Sequence, residues 1–405
     1  MTQQTSRPWI PPFALVFSQL AHGVSWLLIF WAAGSGNFDT PFAQFAWIHT
    51  VALAWITVAA LAILLHALPN FIDVEWFGGQ LFSRVCIAVF AAGVALFVYS
   101  FLNAPPLLGP AASILFAGLL AYLGTAFGTI GRGMRGERIE RAVSRAFGFT
   151  FLFLLATGII GIYMAWTLDP APAHAHAFLG IFGWLSLLIF GVSMRTLKPI
   201  ARSGGTRFRF IHIAVGSLGL LGTILLAAGW VWIGGVLFAI GALAYAFDVF
   251  DMLARAKNRH RPPQAFIAAS ILWLLVALAL GAGMLLGKPW QNAFIFALLA
   301  GWAGQMVNGH LHHIGIRLLA TLYRGDEDET PPGDLLEARL SWYAFAAFQL
   351  AVAVVVAALL QDRDSLAARG AIFGFIAWIG MVANILIARY RAKKTAGVTI
   401  SLLTR

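Results

Sequence analysis

The sequence is short of the residues that build a water-facing surface or a thiolate site. Only 11% of its 405 residues are charged and 60% are hydrophobic, whereas an ordinary soluble domain carries about 25% charged residues. That stock cannot clothe a globular domain in water, which excludes a soluble enzyme or binding module. A single cysteine, Cys86, lies in an apolar stretch. One thiol excludes a disulfide framework, a thiolate metal cluster and a c-type haem attachment motif. Cys86 itself reads as packing. Carboxylates are equally sparse. None sits at the centre of an apolar run, and Asp248 and Asp251 only close one. This argues against a membrane-crossing carboxylate relay and hence against a proton pump. The acidic run Asp326-Glu327-Asp328-Glu329 sits beside Pro331 and Pro332 and reads as a solvated loop.

What is present is length after length of apolar sequence. Runs of roughly 20 residues, enough to span about 30 Å of hydrocarbon as helix, predict helices near 12–33, 45–68, 84–102, 110–131, 147–167, 174–195, 210–229, 232–250, 264–286, 291–316, 340–360 and 370–390. The fold expected is an all-α integral membrane protein of about twelve transmembrane helices, forming one polytopic domain over residues 1–405. The first run lacks a small-residue cleavage site and is followed by more spans, so it reads as a retained helix. The formal net charge of +11 comes from short basic clusters between spans, which speaks for topology and not for nucleic acid. Arg132, Arg135, Arg138, Arg141 and Arg145 share one loop; Arg195, Lys198, Arg202, Arg207 and Arg209 another; Arg255, Lys257, Arg259 and Arg261 a third. These loops and the tail with Arg389, Arg391, Lys393 and Lys394 fall on one side, which the positive-inside rule makes the cytoplasm. The expectation is a multi-pass, N-in and C-in protein of a bacterial-type inner membrane, with lipid as its surroundings.

An internal repeat emerges when the second, sixth and tenth spans are aligned. Ala54-Trp55-Ile56-Thr57, Gly183-Trp184-Leu185-Ser186 and Gly301-Trp302-Ala303-Gly304 match, and His66, Arg195 and His313 stand eleven residues after each Trp. Copies four helices apart suggest three four-helix units of about 1–131, 132–261 and 262–405.

The 10 histidines are the main functional signal, because imidazoles in a bilayer are costly unless they face a bundle interior, a partner or a cofactor. His49 opens the second span, and His174 and His176 open the sixth, all at the outer leaflet. Two residues along a helix is about 200° of rotation, so His174 and His176 serve opposite flanks, and one of them could meet His49 across a haem. Neutral imidazoles from neighbouring helices are suitable axial ligands for haem b. Gly180, Gly183 and Gly191 follow on the same span and leave room either for a flat ring or for close helix contact. Interfacial histidines bonded to carbonyls or water are the structural alternative for all three. His310 and His313 lie on one face of the tenth span with His312 between them, a spacing that suits a copper, iron or zinc pair. His66 or His212 could complete it, although histidines snorkelling at the headgroups fit the same pattern. His22, in the middle of the first span, is the deepest and needs a haem edge, a metal or a hydroxyl. His260, among Arg259, Arg261 and Pro262, reads as solvated.

The run His174-Ala-His-Ala-Phe-Leu-Gly-Ile-Phe-Gly-Trp184, followed by Leu-Leu-Ile-Phe-Gly191 and Lys198-Pro199, resembles the haem-binding helix of subunit I in heme-copper oxidases, with C-type oxidases and nitric oxide reductases nearest. The resemblance implies a high-spin haem on His174 and a low-spin haem on His176, with His49-Thr50 matching the second low-spin ligand. It also implies twelve helices in quasi-threefold array. The copper-ligand helices of that family have no counterpart between His49 and His174, where only His66 occurs, and the His-x-His pair stands on the sixth span where the family has it on the tenth. A full copper-containing oxygen-reducing centre is therefore not expected. Arg7-Pro8-Trp9 and Ala67-Leu68-Pro69-Asn70-Phe71 are similar to the NnrS membrane proteins of nitric oxide metabolism, which implies haem and copper.

Three functions stay open on the sequence. The first is a haem-b protein with one haem or two, in electron transfer or nitric oxide metabolism, with cytochrome c or another redox partner. The second is a permease passing copper or another transition metal along His310, His312, His313 and His66. The third is a membrane scaffold with structural histidines.

Overall fold

The computed structural model describes residues 11–38, 40–136, 138–207, 209–257, 261–324 and 332–395. Arg7-Pro8-Trp9, His260 and the acidic run at 326–329 lie outside them. Among the described residues there is no strand, and twelve long helices follow one another. They are α1 (Pro12–Gly34), α2 (Pro41–Ile72), α3 (Gln80–Asn103), α4 (Leu108–Gly133), α5 (Arg138–Thr167) and α6 (residues 173–201), then α7 (Arg209–Ala227), α8 (Val231–Ala254), α9 (Pro262–Leu285), α10 (residues 291–324), α11 (Ala338–Leu360) and α12 (Asp364–Thr395). Eleven of them are long and apolar enough to cross a membrane. The other is α10, whose Gln305, Asn308, His310 and His312 lower its hydropathy although all four are buried. Outward faces carry Leu20, Ile213, Val236, Leu272 and Ile376 in the open, far more exposed apolar surface than a soluble monomer tolerates. The protein is thus an all-α, multi-pass membrane protein.

Loops alternate between two ends of the bundle. One end holds the connections after α1, α3, α5, α7, α9 and α11, and among the described residues those connections carry only Lys288 and Arg363 as cations, with Arg369 in the second turn of α12 beside them. The other end gathers the basic loops.

Helices at corresponding places in each third of the chain pack alike. α3 with α4, α7 with α8 and α11 with α12 are tight antiparallel hairpins, α5 lies on α4, α9 on α8, and α1 on α12, which closes the ring. Small residues allow the close approach. A Cβ on Gly93 would run into the Leu115 backbone, and one on Gly118 into the Phe90 backbone.

Inside that ring stand α2, α6 and α10, and each is interrupted by an 8-residue π-helical segment, Thr50–Thr57, Leu179–Ser186 and Ala297–Gly304. Each segment begins five residues before, and ends two residues after, its tryptophan: Trp55, Trp184 or Trp302. A π turn shifts the amide bond from the fourth to the fifth residue back. The hydroxyls that close two of the segments span the same interval, Thr57 Oγ1 donating to the Ala52 carbonyl at 2.7 Å and Ser186 Oγ to that of Ile181 at 2.7 Å. α2 and α6 also end alike. Pro69 and Pro199 each remove an amide bond and are followed by left-handed caps, Asp73 at φ 50° and Arg202 at φ 49°.

The three tryptophans, each almost wholly buried, lock the central helices together. Trp184 Nε1 donates to Thr57 Oγ1 at 3.0 Å, joining α6 to α2. The Trp55 ring lies where a Cβ on Gly304 would come within 2.6 Å, joining α2 to α10. Trp302 meets Phe190 with ring centres 5.8 Å apart, joining α10 to α6.

Gly93→Ala is expected to destabilise the protein by about 1–3 kcal/mol, because overpacking here pushes backbone against backbone. Gly124→Ala on α4, with nothing within 4 Å of the added methyl, is expected to change stability by less than about 0.5 kcal/mol. Thermal unfolding of detergent-purified protein measures both; equal effects would contradict the packing.

Candidate cofactor site

His49 stands at the last α-helical position of α2 before the π segment, and His176 within one turn of the π segment of α6. Their rings face each other with centres 6.2 Å apart and planes inclined by 36°. Each is held from behind. His49 Nδ1 bonds the Phe45 carbonyl one turn back at 2.7 Å, and its ring sits 5.4 Å from both Phe97 and Phe101 of α3. His176 Nδ1 bonds the Thr157 carbonyl of α5 at 3.1 Å. A carbonyl only accepts, so both Nδ1 atoms carry the proton and both Nε2 atoms present a lone pair. Neither Nε2 has a hydrogen-bond partner among the described residues. Room for the His176 ring comes from Gly161 on α5, where a Cβ would stand 3.0 Å from the ring.

The two rings border a cavity of about 580 Å³ enclosed by α2 to α6 and the first turns of α10. Its walls are apolar, with Phe45, Phe97, Phe101, Phe116, Ile181 and Leu299 prominent, and Thr57 and Trp184 lie at its deep end. The mouth, at the cation-poor end, is framed by Phe42, Leu168, Asp169 and His174. Volume and lining match those of small-molecule and cofactor pockets, roughly 300–1,000 Å³ and mostly apolar. Two imidazoles bound end-on to one metal at about 2.0–2.1 Å put their ring centres roughly 6 Å apart. The residues present therefore fit a haem held by His49 and His176: two neighbouring imidazoles with their protons fixed on Nδ1, as metal-bound imidazoles require, and apolar walls for the macrocycle.

The other candidate residues stand outside this pair. His174 is exposed at the mouth of the same cavity, with its ring 6.5 Å from that of Phe178. Gly180 lies along the cavity against Thr157, Gly183 packs on Phe153, and Gly191 meets nothing within 4 Å, so close helix contact is the use of Gly183. His310, His312 and His313 do not converge. His310 is spent between the Met306 carbonyl at 2.8 Å and Thr196 Oγ1 at 2.7 Å, a buried link from α10 to α6. His313 is half-buried at the cation-rich end in the field of Arg202, Arg261 and Arg317. His66 pairs with Asn70 at 3.3 Å, and His212 is placed near Asp248. Among the described residues no three His, Cys, Asp or Glu side chains gather as a metal centre, so the proposed metal path is not brought together. His22 is wholly buried and lies flat on Trp55 with ring centres 3.6 Å apart.

Sequence reasoning missed Thr157, Gly161, Phe97 and Phe101. Thr157 acts through its backbone carbonyl, which leaves no trace in residue type. Phe97 and Phe101, four apart on α3, look like any apolar helix face.

Fold and site together define a multi-pass helical membrane protein with an opposed histidine pair in an apolar cavity. Compared with known proteins, the chain matches no family model and no curated sequence.

Proposed function

We propose that this chain is a haem-b membrane protein of the heme-copper oxidase subunit I-like type, working in electron transfer, with His49 and His176 as the axial pair. The observation behind it is the approach of two imidazoles, ring centres 6.2 Å apart and each with its Nδ1 tied to a carbonyl, at a cavity of about 580 Å³. Haem held there supplies a one-electron couple in a low-dielectric setting. The chain's own contribution is to fix both tautomers through the Phe45 and Thr157 carbonyls, to orient the rings by Phe97, Phe101 and Gly161, and to keep water from the deep end with Trp184 and Leu299.

His49 and His176 would both be taken up in holding the group. That favours electron transfer at this pair over direct handling of nitric oxide or another diatomic gas, which would need a separate open centre. A cytochrome c or another redox partner would exchange electrons at the mouth beside His174. The metal-permease alternative draws less support, since its histidines are dispersed. We also propose that all twelve helices cross the membrane N-in and C-in as three four-helix units, in a bacterial-type inner membrane, on the strength of the basic loops and the recurring π segments.

The reduced-minus-oxidised optical spectrum of detergent-purified protein from haem-replete cells tests the haem. A b-type signal is expected in wild type and His174→Ala and its loss in His49→Ala and His176→Ala; a featureless wild-type spectrum would sink the reading. Gly161→Leu, which crowds the His176 ring, is expected to lower haem occupancy severalfold or convert it to a high-spin spectrum, whereas Gly191→Leu leaves it unchanged. For topology, a Cys86→Ser background with Ser35→Cys or Ser203→Cys is expected to be labelled by an impermeant maleimide from outside only at 35. Labelling at 203 alone would invert the orientation.

A further inference from the structure

The outer ring is left open at one junction. On either side of α10, α9 and α11 meet, and on either side of α2, α1 and α3 meet, but α5 and α7 scarcely touch and leave α6 uncovered between them. The internal repeat shows the difference at one position. Seven residues after its tryptophan, α2 has Ala62, 0% exposed, and α10 has Gly309, where a Cβ would stand 2.9 Å from Ile267 of α9; α6 has Gly191, with nothing within 4 Å. Contacts along α6 fix what else lies at that depth. α5 runs antiparallel beside it, with Gly161 against His176, Thr157 against Gly180 and Phe153 against Gly183. Continued by two turns, this register sets Arg145 of α5 level with Gly191. Gly219 of α7 lies against Leu187, and one turn further sets Gly216, exposed and also with nothing within 4 Å, at the same level. The result is a cleft floored by α6 and walled by α5 and α7, in the half of the bundle toward the cation-rich end. Its rim is basic. Arg195 stands one turn beyond Gly191 on the same face of α6, and Lys198 follows one turn later. Arg145, Arg195 and Lys198 are all exposed, and none has an ion-pair or hydrogen-bond partner among the described residues.

We propose that this cleft binds one anionic phospholipid from the leaflet at the cation-rich end, its phosphate held by Arg145, Arg195 and Lys198 and one acyl chain lying over Gly191 and Gly216 where a helix contact is missing. Basic pockets between transmembrane helices attract anionic headgroups, and the planar fork of arginine matches phosphate oxygens with paired N–H donors. Side chains lean toward the N-terminus of their helix. α5 and α6 run in opposite directions, so Arg145 leans away from the bundle centre and Arg195 back toward it, which brings the two guanidinium groups toward one depth. An apolar partner helix fits the cleft less well, because it would cover both arginines without supplying a counter-charge. A phospholipid brings its own, together with a chain thin enough to lie on a bare glycine.

This site is independent of the haem reading. Native mass spectrometry of the full-length detergent-purified chain, offered equal amounts of phosphatidylglycerol and phosphatidylcholine with the same acyl chains, tests it. One phosphatidylglycerol per chain is expected to be retained, at least fivefold over phosphatidylcholine, and excess inorganic phosphate is expected not to displace it. Retention is expected to fall at least fivefold in the double variant Arg145→Gln, Arg195→Gln and in Gly191→Leu, which fills the cleft. It is expected to be unchanged in Arg135→Gln, a cation elsewhere at the same end, and in Gly124→Leu, an open glycine on α4. Monodisperse elution and the unfolding temperature report the fold of each variant. Equal retention of the two lipids, displacement by phosphate, or an equal loss in the Arg135 and Gly124 variants would each overturn the proposal. Where Gly191→Leu does not fold, the wild-type preference and the double glutamine variant decide.

Discussion

Hydrocarbon offers no hydrogen bonds, and in a bundle whose outer faces are leucine, isoleucine and valine every polar group must find its partner inside the protein. The structure meets that constraint at the contact of α2 with α6. There the indole of Trp184 gives its proton to the Thr57 hydroxyl, which itself reaches back to the carbonyl of Ala52. The nine outer helices pack around this seam, and the interior positions they leave are where the histidines lie.

The π segments matter because they reset helix phase. An inserted residue turns everything beyond it by about 100°. In α2 the π turn follows His49 directly, and in α6 it begins a few residues after His176. The imidazoles above the insertion and the tryptophans below it can then both face inward. Without the insertion, one of the two would rotate toward lipid or a neighbouring outer helix. Such interruptions are frequent at functional sites, and here they separate a cavity near the cation-poor end from the packed seam at mid-depth.

Charge follows the same economy. At the cation-rich end Thr206 donates to Asp248, while Arg255 pairs with Asp251 at 2.5 Å and donates to the Gly205 carbonyl. Glu337 likewise meets Arg391 at 2.7 Å. The histidine cavity is left with Asp169 at its mouth and uncharged groups within, a setting suited to neutral imidazoles and a flat apolar cofactor.

Much of this was legible in residue order. Apolar runs set the helices, since length against bilayer thickness is a one-dimensional property, and the recurrence around Trp55, Trp184 and Trp302 marked the central three. The chance that His49 and one of His174 and His176 face each other also follows from helical geometry. The sequence could not announce the π turns, because the shift of an amide bond by one residue has no side-chain signature. Nor could it separate His310 from His312: two positions apart, one is consumed by Thr196 on α6 while the Nε2 of the other has no hydrogen-bond partner. Sequence by itself determined the solvent, the secondary structure and the stock of imidazoles. Which imidazoles are opposed, tied off or left unpaired was decided only by tertiary packing, because those properties depend on which helix stands across the gap.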